Sequence, residues 1–369
     1  MPDVAARDVP VSRTLRRAGA RIAGLAAAGH RAQAAAYFLA YGDAEVDAMM
    51  ESVGSVAGPV ARIEAARLSG CAFAETAAVA DRAVETARKA SARATVQRLK
   101  RMLYARQYNW ARAFFAARPG AVAIAWNGLT STRYAFMEGA RHAGAPRLYL
   151  ERAPLPGRVT VDPVGINALN AVPRDRAAFE AWAGGDPARR GDGWRRLKTD
   201  LAARASTRDD VGQSGGALDD AGAFLFCPLQ VPNDTQIRQF GGWVGTVEGQ
   251  IRAMARCAAA LPAGWHLRIK EHPSSRIAFT ELLADIAAAC AGRVIVDNAT
   301  DTFAQVAASR GVITINSSVG LQAFFFDRPV IVLGEAFYAQ DGLVVRAPDE
   351  AALRDFFAAP DALDFDPAF

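Results

Sequence analysis

Two short stretches pair an apolar run with residues that could meet a phosphate: Lys270-Glu271-His272-Pro273 and Asn316-Ser317-Ser318. In the first, Pro273 fixes the backbone as the chain leaves the run HLRIK. His272 there is suited to donate to a phosphate or ribose oxygen. In the second, small hydroxyl residues stand between the run VITI and a helical stretch. The free N–H groups of a helix start, aided by the helix dipole, suit an anion. Plain N-capping by Ser317 or Ser318 is the alternative. Gln230 and Asp234 follow the run AFLFC, and Gly334-Glu335 follows VIVL. Earlier in the chain, Asn127-Gly128 follows AVAIAW, and Glu151-Arg152 follows RLYL. Asp162 lies in V-D-P-V-G-I-N, where Pro163 and Gly165 can fix its backbone near a ligand; an ordinary Asp-Pro turn is the alternative.

These residues need elements to hold them. From Ala223 onward, short apolar runs alternate with stretches of helical spacing, which predicts a doubly wound α/β domain over 222–369. Strands are expected at 223–227, 266–270, 293–296, 312–315 and 330–333. Upstream, a strand at 121–126, a helix at 131–142 and a strand at 147–150 form a βαβ unit, hence part of a parallel sheet. Right-handed crossovers put the strand C-termini on one edge, where open sheets bind ligands. The polar residues named above therefore collect at one edge of each sheet. Residues 184–220, rich in Gly, Asp and Ser, mark a boundary. The expected organisation is a helix-rich segment over 1–118, a Rossmann-like domain over 119–200, a linker over 201–221 and the second domain over 222–369.

Within 1–118, the stretches Leu15–Tyr41 and Ala61–Ala117 read as helical, with Leu99, Leu103, Trp110 and Phe114 at helical spacing. No strand is expected there. Arg98, Lys100, Arg101, Arg106 and Arg112 form a basic cluster, read as a solvated helix face or, more sharply, as a contact for anionic headgroups or a charged acceptor.

Composition narrows the function class. The 369 residues suit two domains, and 51% hydrophobic with 22% charged residues describe a globular chain rather than a disordered one. A formal charge of +5 favours anionic partners only weakly, and nucleic acid is not expected among them. The four cysteines form no C-x-x-C pair and read as buried reduced thiols; the four histidines form no H-E-x-x-H pattern. No metal is expected. Residues 1–17 lack the apolar core of a secretory signal, and no window approaches 18 apolar residues. A cytoplasmic location follows as an expectation, with any membrane contact peripheral on the inner membrane.

Taken together, FCPLQVPNDTQI, RIKEHPSSR and VITINSSVGLQAFFFDRPVIVLGEAFY, ending in DGL, resemble the bacterial capsule polysaccharide synthesis family, the Kps-type transferases. AWNGLTSTRYAFMEGARHAG and YLERAPLPGRVTVDPVGIN are similar to the same family. The resemblance implies two facing Rossmann-like domains of the GT-B type and a retaining transferase. Its donor would be CMP-Kdo (the CMP-activated form of 3-deoxy-D-manno-octulosonic acid), used as substrate with no cofactor. Its acceptor would be a glycan or glycolipid of capsule or lipopolysaccharide. Carried over, the His-Pro motif falls on His272 and Pro273, the nucleotide-phosphate serines on Ser317 and Ser318, and the catalytic carboxylate on Asp162. Lys270, Gln230 and Asn316 join the donor side; Asn127, Arg152 and Asp234 complete the strand-end set. Glu151, after a buried strand, could act as acid/base toward the acceptor hydroxyl. A nucleotide-sugar epimerase and a non-catalytic glycan-assembly partner are the competing readings. Release of CMP from CMP-Kdo, against conversion of a UDP-sugar, separates the enzymes.

Overall fold

A computed structural model describes residues 35–64, 67–87, 93–201, 205–216, 218 and 221–369. The helical reading of 15–34 and parts of the expected 201–221 linker lie outside them. The chain divides into two compact α/β units. The first runs to Glu151 and takes back Thr160–Ile166; the second holds Arg152–Val159 and Asn167–Phe369.

The first unit is built on a five-stranded sheet of order β2-β1-β3-β4-β5. Its strands are β1 (Ala36–Leu39), β2 (Val60–Ile63), β3 (Val122–Trp126), β4 (Arg147–Arg152) and β5 (Val159–Asp162). β1 pairs in parallel with β2 and β3, and β3 with β4. The helices are α1 (Ala44–Gly54), α2 (Thr76–Glu85), α3 (Ala94–Ala116) and α4 (Ser131–His142). β1 and β2 correct the all-helical reading of the first 118 residues. Each is four residues long (AYFL and VARI), too short for a period to declare itself between Ala-rich stretches. Pairing with β3 decides the matter, and all of β1 is buried. α3 does carry the basic cluster, with Leu99 and Met102 exposed beside it.

The second unit holds a six-stranded sheet of order β11-β10-β9-β6-β7-β8. Its strands are β6 (Ala223–Pro228), β7 (Trp265–Lys270), β8 (Val294–Val296), β9 (Gly311–Thr314), β10 (Val330–Val332) and β11 (Val345–Arg346), all paired in parallel. Between and after them run α5 (Arg176–Ala183), α6 (Thr235–Phe240), α7 (Val247–Cys257), α8 (Thr280–Ala289), α9 (Thr302–Ala308), α10 (Ser318–Ala323) and α11 (Glu350–Ala358). Alternate strand residues serve two cores, as the pleat requires. Leu225, Cys227, Ile269 and Ile313 face Ile251 and Met254 on one side, while Phe224, Phe226, Val312 and Val330 face Phe324 and Phe325 on the other. Asp234, Asp301 and Asp349 accept first-turn N–H groups and fix where α6, α9 and α11 begin.

The division falls between residues 151 and 167, upstream of the Gly- and Asp-rich segment that the sequence marks. Trp194, Leu197 and Leu201 pack on the core that holds Phe324 and Phe325, which draws this segment into the second unit. Of the four free cysteines, Cys227 and Cys257 are buried as expected, while Cys290 is only partly so and Cys71 is exposed. Among the described residues no helix is long and apolar enough to cross a membrane.

Candidate active site

The strand order of the second sheet reverses between β6 and β9, the position where open sheets form a ligand crevice. Gln230, after β6, and Asn316, after β9, meet there. Gln230 Nε2 donates to Asn316 Oδ1 at 2.9 Å, and Gln230 Oε1 accepts from Asn316 N at 3.1 Å and Thr314 Oγ1 at 3.3 Å. Asn316 Nδ2 donates to the carbonyls of Gln236, in the first turn of α6, and Phe240, at its end. Both side chains are buried, and their amides hold the strand ends together.

Lys270, at the end of β7, is only 1% exposed. Its Nζ donates to the carbonyls of Gly212, Asn298 and Thr300 at 2.7–2.8 Å. An ammonium group has three donors, and all three are engaged. Burial pushes its pKa down, against the pull of Asp297 and Asp301. The sequence places Lys270 on the donor side; the structure makes it a knot joining the segment at Gly212 to the loop after β8.

The next residue, Glu271, organises the His-Pro loop. It is 2% exposed; its Oε1 accepts from Phe279 N at 2.6 Å and its Oε2 from Arg208 Nη2 at 2.9 Å and Asn298 Nδ2 at 3.2 Å. Arg208, bound also to Asp210, has its pKa raised chiefly by that partner. Ser206 Oγ and Thr207 N donate to the Pro273 carbonyl. The sequence reading missed Arg208 and Glu271: the first falls in the segment taken as a linker, and the second stands beside the more conspicuous His272. His272 Nδ1 accepts from Ser274 N at 3.1 Å. A nitrogen that accepts carries no proton, so the ring proton is on Nε2, the tautomer that can donate to an oxyanion.

Ser317 caps α10, its Oγ accepting from Val319 N at 3.2 Å. The capping alternative is therefore realised at Ser317, while Ser318 is exposed in the first turn. Tyr338 OH donates to the Ser317 carbonyl at 2.6 Å, and burial pushes that phenol's pKa up. A Cβ on Gly320 would collide with the same hydroxyl, so glycine lets the helix start lie against Tyr338. Asp234 is exposed and caps α6 through Gln236 N at 2.8 Å.

In the first unit, Asp162 ends β5 and is 7% exposed. Its Oδ1 accepts from Val164 N at 2.8 Å and Gly165 N at 2.9 Å, so the Asp-Pro turn orients the carboxylate. Glu151 lies near the end of β4, followed by the exposed Arg152. Asn127, after β3, donates through Nδ2 to Glu151 Oε2 at 3.0 Å. Asn127 adopts a left-handed backbone (φ 65°), and its Oδ1 accepts from Leu129 N. The first unit thus holds Asn127, Glu151 and Asp162; the second holds Arg152, Gln230, Asp234, Lys270, His272, Pro273 and Asn316–Ser318. Among the described residues no group of three His, Cys, Asp or Glu side chains could hold a metal.

Residues 188–362 match the family model described as capsule polysaccharide biosynthesis protein. Protein FixF of Sinorhizobium fredii is 30% identical over 247 residues, 67% of this chain and 54% of that protein. Capsule polysaccharide modification protein LipB of Neisseria meningitidis is 30% identical over 145 residues, 38% of this chain and 33% of that protein. The chain therefore spans about half the length of one curated relative and a third of the other. Among solved structures, the β-Kdo 2,7 transferase KpsC of Thermosulfurimonas dismutans superposes with a TM-score of 0.50 at 13% identity, covering 85% of this chain and 83% of that one. That likeness concerns the fold.

Proposed function

Because residues 188–362 belong to the capsule polysaccharide biosynthesis family, we propose that this chain is a retaining glycosyltransferase that moves β-Kdo from CMP-Kdo to a surface-glycan acceptor. The observation that carries this reading is the Asp162 carboxylate: buried, and fixed by two backbone N–H groups on one oxygen. Such a group is already oriented before a substrate arrives, as a nucleophile in a covalent mechanism must be.

The reaction runs in two displacements. An Asp162 oxygen attacks the anomeric carbon, the bond from that carbon to the phosphate oxygen breaks, and CMP leaves with the electron pair. The acceptor hydroxyl then attacks the same carbon from the face CMP left. The bond to Asp162 breaks, and the hydroxyl proton passes to Glu151. Two inversions give net retention. The departing phosphate needs charge stabilisation more than protonation, a task that suits the Nε2–H of His272 and the helix start at Ser317 and Ser318. Gln230, Asn316 and Lys270 frame the strand ends of the second unit beside His272 and Ser317.

Intact-mass spectrometry with CMP-Kdo and no acceptor tests the proposal. The expected result is a one-sugar mass increase that maps to the peptide containing Asp162. Asp162→Asn keeps the shape but loses the attacking charge; it should lower transfer by at least about 1,000-fold, roughly the scale of losing a nucleophile, while CMP still binds. Wild-type transfer by Asp162→Asn would sink the covalent mechanism at this residue.

A further inference from the structure

α3 supplies five cations, Arg98, Lys100, Arg101, Arg106 and Arg112, and its 23 residues hold no Asp or Glu. Two of the five are used inside the first unit: Arg101 bonds Asp81 of α2, and Arg112 bonds Glu75 just before it. Lys100 is partly buried. Arg98 and Arg106 are exposed, and among the described residues neither enters an ion pair. Asp81 and Glu85 share a hollow with Arg98, but they are bonded to Arg101 and Arg82.

These two arginines share a face with apolar side chains. Spacings of three and four residues put Arg98, Leu99, Met102 and Arg106 on one side of the helix. The other side, with Tyr104, Tyr108, Ala111 and Phe115, is buried. Ser69 N donates to the Arg106 carbonyl at 3.0 Å, which brings the exposed Arg67 and Leu68 to the C-terminal end of this face. Leu68, Leu99 and Met102 are 46–61% exposed. Among the described residues of the first unit the other large exposed apolar side chains are Val56 and Val164. Scattered single residues need no explanation, but a group of three among arginines does.

A helix face that mixes leucine and methionine with arginines suits a lipid interface. Headgroup phosphates take up the guanidinium groups, and the apolar side chains enter the boundary with the acyl chains. None of the residues named on this face is aromatic, so it offers a nucleic acid no surface for base stacking. From Arg98 to Arg106 the strip is about 12 Å long and about 10 Å wide. That is far less than the roughly 800 Å² each partner buries in a stable protein interface. A bilayer needs no matched groove, and binding to it grows with each cation and apolar group brought to the surface.

We propose that the exposed face of α3 from Arg98 to Arg106, with Leu68 beside it, docks on an anionic bilayer surface. The arginines meet headgroup phosphates, and Leu68, Leu99 and Met102 enter the interface. This docking is independent of the chemistry assigned to Asp162 and Glu151.

Vesicle sedimentation with the full chain tests the surface. The probes are vesicles of phosphatidylcholine alone and of phosphatidylcholine mixed with phosphatidylglycerol. The wild type should bind the anionic vesicles at least about tenfold more tightly, and added salt should weaken that binding. Each arginine is worth roughly fivefold at an anionic surface, so Arg98→Gln with Arg106→Gln should lower the affinity at least about tenfold. Leu99→Gln with Met102→Gln should lower it several-fold while keeping its salt dependence, because insertion is lost and the charge stays. Arg252→Gln with Arg354→Gln removes the same charge from exposed positions of the second unit and should leave binding unchanged. Thermal melts should show every variant folded, since the altered side chains stand in solvent. Equal binding to neutral and anionic vesicles overturns the proposal, as does undiminished binding in the Arg98 and Arg106 variant. An equal loss in the second-unit variant assigns the effect to net charge and overturns it as well. Tighter binding to duplex DNA or polyglutamate than to the anionic vesicles, at the same salt, gives the face to another polyanion and also overturns it. The sugar donor takes no part in these measurements, so the covalent reading at Asp162 stands or falls separately.

Discussion

The two sheets each reverse their strand order once, and the two switch points are used in opposite ways. In the second unit the crevice between β6 and β9 is closed by the amides of Gln230 and Asn316, which bond each other and the end of α6. In the first unit the edge between β1 and β3 carries Tyr41, Arg133 and Asn127, all partly exposed, with Asn127 on left-handed backbone. Burial accounts for the difference. A polar group that is 1–2% exposed, as Lys270 and Asn316 are, must find its partners inside the protein. Such residues make a rigid frame, and in the proposed function the residues beside them meet the ligand. Position after a strand is thus shared by both kinds, and burial separates them.

The strongest way to break this comparison is Lys270→Met. It keeps most of the volume but leaves the carbonyls of Gly212, Asn298 and Thr300 without their donor. We expect a loss of about 3–5 kcal/mol, the scale of breaking a buried charged network. Hydrogen exchange should localise it to peptides around residues 212 and 294–301. Unchanged exchange there, with CMP binding lost, would make Lys270 a ligand group and erase the contrast.

Gly320→Ala comes next. The new methyl meets the buried ring of Tyr338, whose hydroxyl cannot swing away without giving up the Ser317 carbonyl. Overpacking of this kind costs about 1–3 kcal/mol. Adding Tyr338→Phe, which removes the hydroxyl, should recover part of the loss in a thermal melt. No recovery would mean that the helix start is not set by Tyr338.

The sequence makes much of this legible. β6, β9 and β10 are continuous apolar runs and β7 (WHLRIK) alternates apolar with polar residues, all bounded by turns, so their positions and the polar residues after them follow from the pattern. β1 is no less buried, but AYFL between Ala-rich stretches has no period of its own, and its pairing with β2 and β3 makes it a strand. The contact of Arg133 with Tyr41 shares that fate: it forms across a sheet whose first strand the pattern conceals. Lys270 shows the other limit. A lysine at a strand end reads as a ligand donor until the carbonyls of Asn298 and Thr300, brought in by the fold, are seen around it.

A smaller effect sharpens the picture of the frame. Burial raises the pKa of Asp297, but bonds from Thr300 and Arg268 outweigh it and carry the value from 3.8 down to about 2. A depressed carboxyl stabilises the fold above its unfolded pKa, and that contribution fades as pH falls from 3.8 toward 2. After solvent screening we expect it to amount to about 1–2 kcal/mol. Denaturant melts at pH 5 and pH 2.5 should show the loss in the wild type and a flatter dependence in Asp297→Asn. Equal slopes in the two proteins would remove Asp297 from the frame.

The smallest expected change in stability belongs to Asn127→Gly, and it is the most informative about the first unit. Glycine relieves the left-handed backbone at φ 65° but frees the unfolded chain and removes the bonds to Glu151 and Leu129. These effects oppose one another, so the net change should stay within about 1 kcal/mol of zero. Transfer should fall nonetheless, because Glu151 loses the group that orients its carboxylate. The covalent adduct on Asp162 should still form, since the first displacement needs little proton transfer, and only its turnover by acceptor should slow. A frame residue would behave in the reverse way, losing stability first and activity with it. If Asn127→Gly unfolds the first unit by several kcal/mol, this edge is architecture as well, and the two switch points are alike.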